Sequence, residues 1–422
     1  MTLAERYRAA LAPVVPMETD MEISHGEGPY LVASDGRRYL DFVMGIAVNA
    51  LGYGHPAVVE AVTEQARRHM HVYSGSGYQN SVVAYAEALQ AEVGDGSMAF
   101  FGNSGAEAVE AAIKAARFVT GRPAIVAFRG SFHGRTLGAL SLTASAARYR
   151  SSYEPLLPSV YHIDYPAPTR LNLSADEAFA HVRQQLDQLF ALEVEPEQVA
   201  CVVVEGIQGE GGYIIPPAGF MPWLRQITQD HGILLVVDEV QSGFGRTGRM
   251  WSYQHEGIQP DLITLGKALG GGLPLGALIA RQGLLESWPG GLHGSTFGGN
   301  PVSCAGGLAT LNVIRSEHLV ERAASLGATA LARLQELAAR PHIREVRGRG
   351  LMLAVEFQGA GAPAVVERII RSALERGLYL HPAGVRHDVI RLMPPLNIPE
   401  SVLLDGIECF ADLVRDIPHV RS

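Results

Sequence analysis

The stretch ILLVVDEVQSGFGRTG, residues 233–248, is an unbroken apolar run that ends on Asp238 and Glu239 and passes directly into a glycine-rich loop. Continuous rather than alternating apolar character marks a strand buried on both faces, the situation of a parallel sheet covered by helices. The same form recurs outward from it in MAFFG (98–102), AIVAF (124–128), ACVVVE (200–205), LITLG (262–266) and GALIA (276–280), with helical spacing in between. This alternation predicts an α/β fold whose functional groups gather just past the C-terminal ends of the strands.

From about His342 the pattern changes. LMLAVEF (351–357), a helical stretch from Val365 to Arg376, VIRLM (389–393) and a final helix after Pro399 predict a smaller α+β domain. Near the N-terminus, MEISHGEGPYLVASDGRRYLDF places Gly and Asp-Gly turns between short strand-like pieces, which are expected to pack with that tail. The boundaries read as 1–50 for this N-terminal segment, 51–315 for the large domain and 316–422 for the small one.

Composition narrows the function. A chain of 422 residues with 47% hydrophobic and 18% charged side chains suits a compact protein with a large core. A net charge of -9 offers no broad positive field, so a small metabolite rather than nucleic acid is the expected partner. Cys201, Cys304 and Cys409 lie far apart, which predicts neither a disulfide framework nor a metal site. No apolar run reaches the roughly 18 residues of a membrane span and no signal-peptide core follows the N-terminus, so the expected location is cytoplasmic.

Among the 34 basic side chains only Lys114 and Lys267 are lysines. Arginine does not lose its proton in a protein, so an imine-forming amine must be one of these two. Lys114 lies on the helix AEAVEAAIKAARF with Glu110 four residues earlier, the order of a surface ion pair. Lys267, in LGKALGGGLPLG, sits between a strand end and three glycines, where crowding lowers its pKa and frees the amine. LGKAL lacks the Ser or Thr and the upstream glycine of a P-loop, and GNSGA (102–106) departs from the G-x-S-x-G elbow at its fifth place.

Asp238 either caps the next turn or faces a cationic ring nitrogen, and the residues alone leave both open. GNSGAEA opens a helix after the strand MAFFG, where Ser104 either simply caps a plain helix start, the reading favoured by this motif alone, or leaves the amides of Gly105 and Ala106 to bind a phosphate. Phe132 and His133 follow the strand AIVAF, where an aromatic is either simple core or covers one face of a flat ring, with Val240 on the other. An imine lysine, a ring-nitrogen acid, a phosphate-binding helix start and a stacking aromatic together specify pyridoxal phosphate.

The ordered strings DFVMGIAVNALGYGHP, NSGAEAVEAAIKAAR, SFHGRT, EGIQGEGG, DEVQSGFGRTG, LGKALGGGLPLGA, STFGGNP and VIRLMPPL span nearly the whole chain. In them the chain resembles the class III, or ω-amino-acid, aminotransferases of PLP fold type I, most strongly those acting on 4-aminobutyrate. The resemblance implies a mixed, mostly parallel seven-stranded sheet in the large domain. It implies that Lys267 carries the cofactor and moves the proton, that Asp238 pairs with the pyridine nitrogen and that Gln241 binds the phenolic oxygen. Gly105 and Ala106 would hold the phosphate, joined by Thr296 of a neighbouring subunit, so a homodimer or a pair of dimers is implied.

For substrate, the resemblance implies contacts from Ile46, Gln79, Arg135, Glu205 and Arg391. Arg135 would take a distal carboxylate and Arg391 the α-carboxylate of glutamate, with Glu205 pairing Arg391 when that carboxylate is absent. The implied reaction is ping-pong transfer from a 4-aminobutyrate-like donor to 2-oxoglutarate, giving a semialdehyde and L-glutamate. Acetylornithine, ornithine or lysine transamination is the alternative, and a decarboxylase, racemase or aminomutase the alternative of another class. Gly206 stands where many relatives carry proline after the glutamate, leaving a freer backbone beside Glu205.

Overall fold

A computed structural model describes residues 1–417; the last five residues of the expected small domain lie outside the described residues. Seven strands build the central sheet: β1 (Met98–Gly102), β2 (Ala124–Phe128), β3 (Val160–Ile163), β4 (Val199–Glu205), β5 (Leu234–Asp238), β6 (Leu262–Leu265) and β7 (Gly276–Ala280). Their spatial order is β1-β7-β6-β5-β4-β2-β3, all neighbours parallel except that β7 runs antiparallel to both β1 and β6. The sheet is therefore mixed and mostly parallel. Every residue of β2, β4, β5, β6 and β7 is buried, as continuous apolar strands between two helical layers must be.

Helix Gly105–Thr120 covers one face through Ala108, Ala111, Ala112, Ala115 and Ala116, whose small side chains let it lie close to the strands. Ser104 caps its start by accepting from the Glu107 amide at 3.2 Å. Helices Ala175–Leu192 and Phe220–Asp230 contribute Val182, Leu186, Phe220 and Leu224 to the main core cluster. The parallel registers bring Glu205 beside Asp238, and Asp238 beside Thr264, at the C-terminal edge.

A second sheet orders Ile343–Arg349, Met352–Phe357, Val389–Leu392 and His381–Ala383, all antiparallel. A third contains Ile23–Glu27, Tyr30–Ala33 and Arg38–Asp41, closed by a parallel pairing of Leu378 with Leu40. N-terminal strands thus share a sheet with a C-terminal one, which draws residues 14–18 toward the same side as His381 and Arg391.

One expected contact is corrected. Glu110 does not pair with Lys114: its carboxylate accepts from the Thr136 hydroxyl at 2.6 Å and the Gly138 amide at 2.9 Å, at the start of helix Leu137–Leu142. Free amides at a helix start hold a carboxylate better than an exposed ammonium does. Lys114 turns instead to the Leu292 carbonyl at 3.2 Å and to His293. No helix of the described residues is long and apolar enough to cross a membrane, and no group of three His, Cys, Asp or Glu among them could hold a metal.

Candidate active site

Lys267 is the second residue past β6 and opens a short 3-10 turn with φ 48°, a left-handed conformation that costs a non-glycine residue of the order of 1 kcal/mol. This turn directs the side chain into a cavity of about 1150 Å³, lined also by Phe132, Arg135, Glu210, His381 and Arg391. Burial pushes the Lys267 ammonium down to about 8, against the opposing pull of the Glu210 carboxylate.

Asp238 ends β5 and is 4% exposed. One oxygen accepts from the Val240 amide at 3.0 Å, as a turn-capping residue would, and the other lies 2.7 Å from His133 Nδ1. His133 departs from the expected place: its side chain is wholly buried against Asp238 and is not among the residues lining the cavity, whereas Phe132, its neighbour in the irregular segment after β2, is. Burial opposes its protonation, but the Asp238 carboxylate prevails and holds the imidazole above its ordinary range. His133 thus stands hydrogen-bonded to Asp238 rather than on the open face of the cavity.

The loops after three strands meet closely at the helix start. A Cβ on Gly105 would lie 2.9 Å from both Val240 methyls, and one on Gly266 would lie 3.1 Å from the Gly105 nitrogen. Among the described residues no acceptor takes the Gly105 or Ala106 amide, so this cradle presents free donors to an anion. Nearby, Gln241 Oε1 is buried and unpartnered. An unfilled acceptor, open helix-start amides and a buried lysine fit the aldehyde, phosphate and ring of pyridoxal phosphate.

Arg391, on Val389–Leu392, is fully buried. Its Nη1 donates to Glu210 at 2.5 Å and its Nη2 approaches His381 Nδ1 at 2.8 Å, while its Nε has no partner. Burial works to raise the Glu210 carboxyl, yet Arg391 and Lys267 bring it down to about 2, so it is ionised.

The expected pairing of Arg391 with Glu205 is therefore corrected to Glu210. Glu205 ends β4 and spends both oxygens on backbone, accepting from Phe132 at 2.9 Å and Gly209 at 2.7 Å. Its burial raises it to about 7. Past Glu205 the chain folds back in a bridge between Gln208 and Ile214, which carries Glu210 into the cavity. Both glutamates stand in EGIQGEGG, and only this turn decides between them.

Arg135 lines the cavity and lies 4.4 Å over the ring of Tyr149, with no carboxylate partner among the described residues. Arg148 approaches the same ring at 5.1 Å. Ile46 lines the cavity from a strained turn in which Met44, Ile46 and Ala47 all have positive φ. Two expected residues are not brought to this cavity. Gln79 donates to the Val72 carbonyl at 3.0 Å beside helix Asn80–Val93, and Thr296 stands exposed on a surface loop. The segment 70–79 packs on that loop rather than on the strand ends, as Ser74 donates to the Gly298 carbonyl at 3.2 Å.

The geometry has counterparts in known proteins. A family model described as aminotransferase class-III matches residues 13–414. Acetylornithine aminotransferase of Methanopyrus kandleri is 43% identical over 392 residues, 92% of this chain and 93% of its own length. The 2-aminoadipate transaminase of Pseudomonas putida is 39% identical over 403 residues, 93% of this chain and 96% of its own. Among solved structures, an (S)-enantioselective omega-transaminase from Thermomicrobium roseum superposes with a TM-score of 0.90 at 30% identity, covering 99% of this chain and 100% of that one.

Proposed function

The chain belongs to the class-III aminotransferases, and on that footing we propose that it moves an amino group from a long ω-amino donor of the N-acetylornithine kind to 2-oxoglutarate. The observation that carries this reading is the pair of guanidiniums sharing one cavity with Lys267, Arg135 without a carboxylate partner among the described residues and Arg391 already held by Glu210. An ω-amino donor brings one carboxylate, which Arg135 takes while Glu210 keeps Arg391 neutralised. Glutamate and 2-oxoglutarate bring two, and the second displaces Glu210 from Arg391. Several relatives carry the name acetylornithine aminotransferase, which supports that donor class over 4-aminobutyrate.

The enzyme depends on pyridoxal 5′-phosphate, which when bound supplies an electron-accepting ring that stabilises negative charge on the carbon bearing the amine. Lys267 would take the proton from that carbon of the donor and, in the acceptor half-reaction, give one to the carbon that becomes Cα of glutamate, both of which a buried amine titrating near 8 can do. Asp238, oriented by His133 and the Val240 amide, would hold the ring nitrogen, while Gly105 and Ala106 would donate to the phosphate. Thr296 completes the phosphate site of a second copy, so the working unit is a homodimer.

A donor panel tests the reading: N-acetylornithine, ornithine, lysine, 2-aminoadipate, 4-aminobutyrate and β-alanine, each with 2-oxoglutarate and with glutamate as readout. N-acetylornithine should give the highest kcat/KM. A higher value for 4-aminobutyrate would return the donor to the shorter class, and repeated turnover without 2-oxoglutarate, beyond one product per site and with no glutamate formed, would remove transamination altogether.

A further inference from the structure

Arg391 poses a problem that Glu210 alone does not solve. A fully buried guanidinium whose one carboxylate partner among the described residues swings aside is left uncompensated and free to follow it, at a moment when the incoming carboxylate needs it in place. A second contact holds it. His381 lies directly across from Arg391 in the antiparallel pairing of His381–Ala383 with Val389–Leu392, so the backbone register fixes the two side by side.

The imidazole continues the chain outward. Its Nδ1 is 2.8 Å from Arg391 Nη2, and its Nε2 is 2.7 Å from Glu18 Oε1, whose other oxygen accepts from the Tyr379 hydroxyl at 3.2 Å. A guanidinium nitrogen only donates, so Nδ1 receives and the ring proton sits on Nε2, donating to Glu18. The Pro382 carbonyl, 2.7 Å from Nδ1, favours the other tautomer, but the fixed charge of Arg391 on one side and of Glu18 on the other decides against it. Burial tends to raise the Glu18 carboxyl, and His381 outweighs it, so Glu18 is held below its ordinary range and carries its charge.

Glu18 is also the tie of a longer element. Val14, Val15, Pro16 and Glu18 line the same cavity as Lys267 and Arg391, though Val14 and Val15 are otherwise largely exposed. The arm between helix Leu3–Ala10 and strand Ile23–Glu27 therefore forms a wall of the substrate cavity, and Glu18 fastens it.

We propose that His381 and Glu18 are positioning residues for Arg391, keeping its guanidinium in place when Glu210 releases it for an α-carboxylate, and that the same contact fastens the arm 14–18 over the cavity. This rests on the reading of Arg391 as the α-carboxylate site. The chain of contacts matters for substrates that displace Glu210 and much less for donors that leave it bound.

The test compares the two half-reactions of the holoenzyme, glutamate against the ω-amino donor, in His381→Ala, Glu18→Gln and Arg391→Ala. His381→Ala should lower kcat/KM for glutamate by about tenfold more than for the donor, chiefly through KM, with Glu18→Gln smaller in the same direction. His381→Gln, whose amide can both accept from Arg391 and donate to Glu18, should recover most of the loss. Limited proteolysis of the first twenty or so residues should be faster in His381→Ala and Glu18→Gln than in the parent. Equal losses in both half-reactions, no loss in either, or an arm no more easily cleaved would overturn the proposal. An Arg391→Ala variant that still turns over glutamate normally would overturn the reading beneath it as well.

Discussion

Lys267 combines a left-handed backbone with burial, and both bear on one quantity, the fraction of its amine that is neutral. A depressed pKa means the amine loses its proton at lower pH: with a value of about 8, roughly half is neutral at that pH, against about 0.3% for an ordinary lysine near 10.5. Capture of added pyridoxal phosphate by the cofactor-free enzyme, followed by absorbance, should therefore rise through about pH 8 and level off above it. A rate still climbing steeply between about pH 9 and 10 would point to an exposed lysine such as Lys114. Arg135 offers a second residue-level test. Stacked on Tyr149 and unpaired, it serves both substrates, so Arg135→Ala should raise KM for the ω-amino donor and for 2-oxoglutarate alike, by about ten- to a hundredfold in steady-state kinetics. Lys267 was legible because its chemistry follows from residue type and strand-end position, whereas Arg135 was expected only through the family resemblance. The choice between Glu205 and Glu210 was not legible, since it depends on which way a five-residue turn aims each carboxylate.

Elements were legible to the extent that their apolar runs were long. MAFFG, AIVAF and GALIA coincide with β1, β2 and β7, whereas β3, only VYHI with a histidine inside it, offers no run to read. An apolar run also carries no direction, so the antiparallel setting of β7 could come only through family resemblance. Gly206, just past β4, shows the same limit. Its departure from proline suggested a freer Glu205, yet two backbone amides hold Glu205 and the glycine answers a different need. A Cβ there would lie 2.3 Å from Ser252 Oγ, a hydroxyl committed to Glu239 at 2.7 Å. Gly206→Ala should accordingly destabilise the enzyme by about 1–3 kcal/mol through overpacking, read as a lower thermal midpoint. Ser252→Ala removes the obstructing oxygen, so the double variant should lose less than the two single losses added together. Strict additivity would mean that the hydroxyl is not what excludes the side chain.

At the scale of the molecule, two of the expected site residues lie away from the cavity, where the proposed second copy would put them to use. Thr296 stands exposed next to Phe297, and Gln79 next to Tyr78, whose side chain makes almost no contact with its own chain. His71 meets Phe297 at 4.8 Å between ring centroids, so segment 70–78 and loop 292–299 form one apolar surface with Met70, Tyr73, Tyr78 and Phe297 outward. Such a surface loses free energy to water unless another covers it. In the proposed homodimer a second copy of the chain would do so while carrying Thr296 toward the phosphate cradle at Gly105 and Ala106, a coupling that would distinguish a functional dimer from an incidental one. Residues that serve a partner's site carry the same sequence signature as those serving their own, so geometry alone separates the two cases. Phe297→Glu places a charge in the patch and should yield monomer by light scattering, together with a rise of about tenfold or more in the Kd for pyridoxal phosphate. A monomeric variant that keeps the parent's cofactor affinity would show that each chain completes its own phosphate site, and a parent that is itself monomeric would remove the partner from the reading.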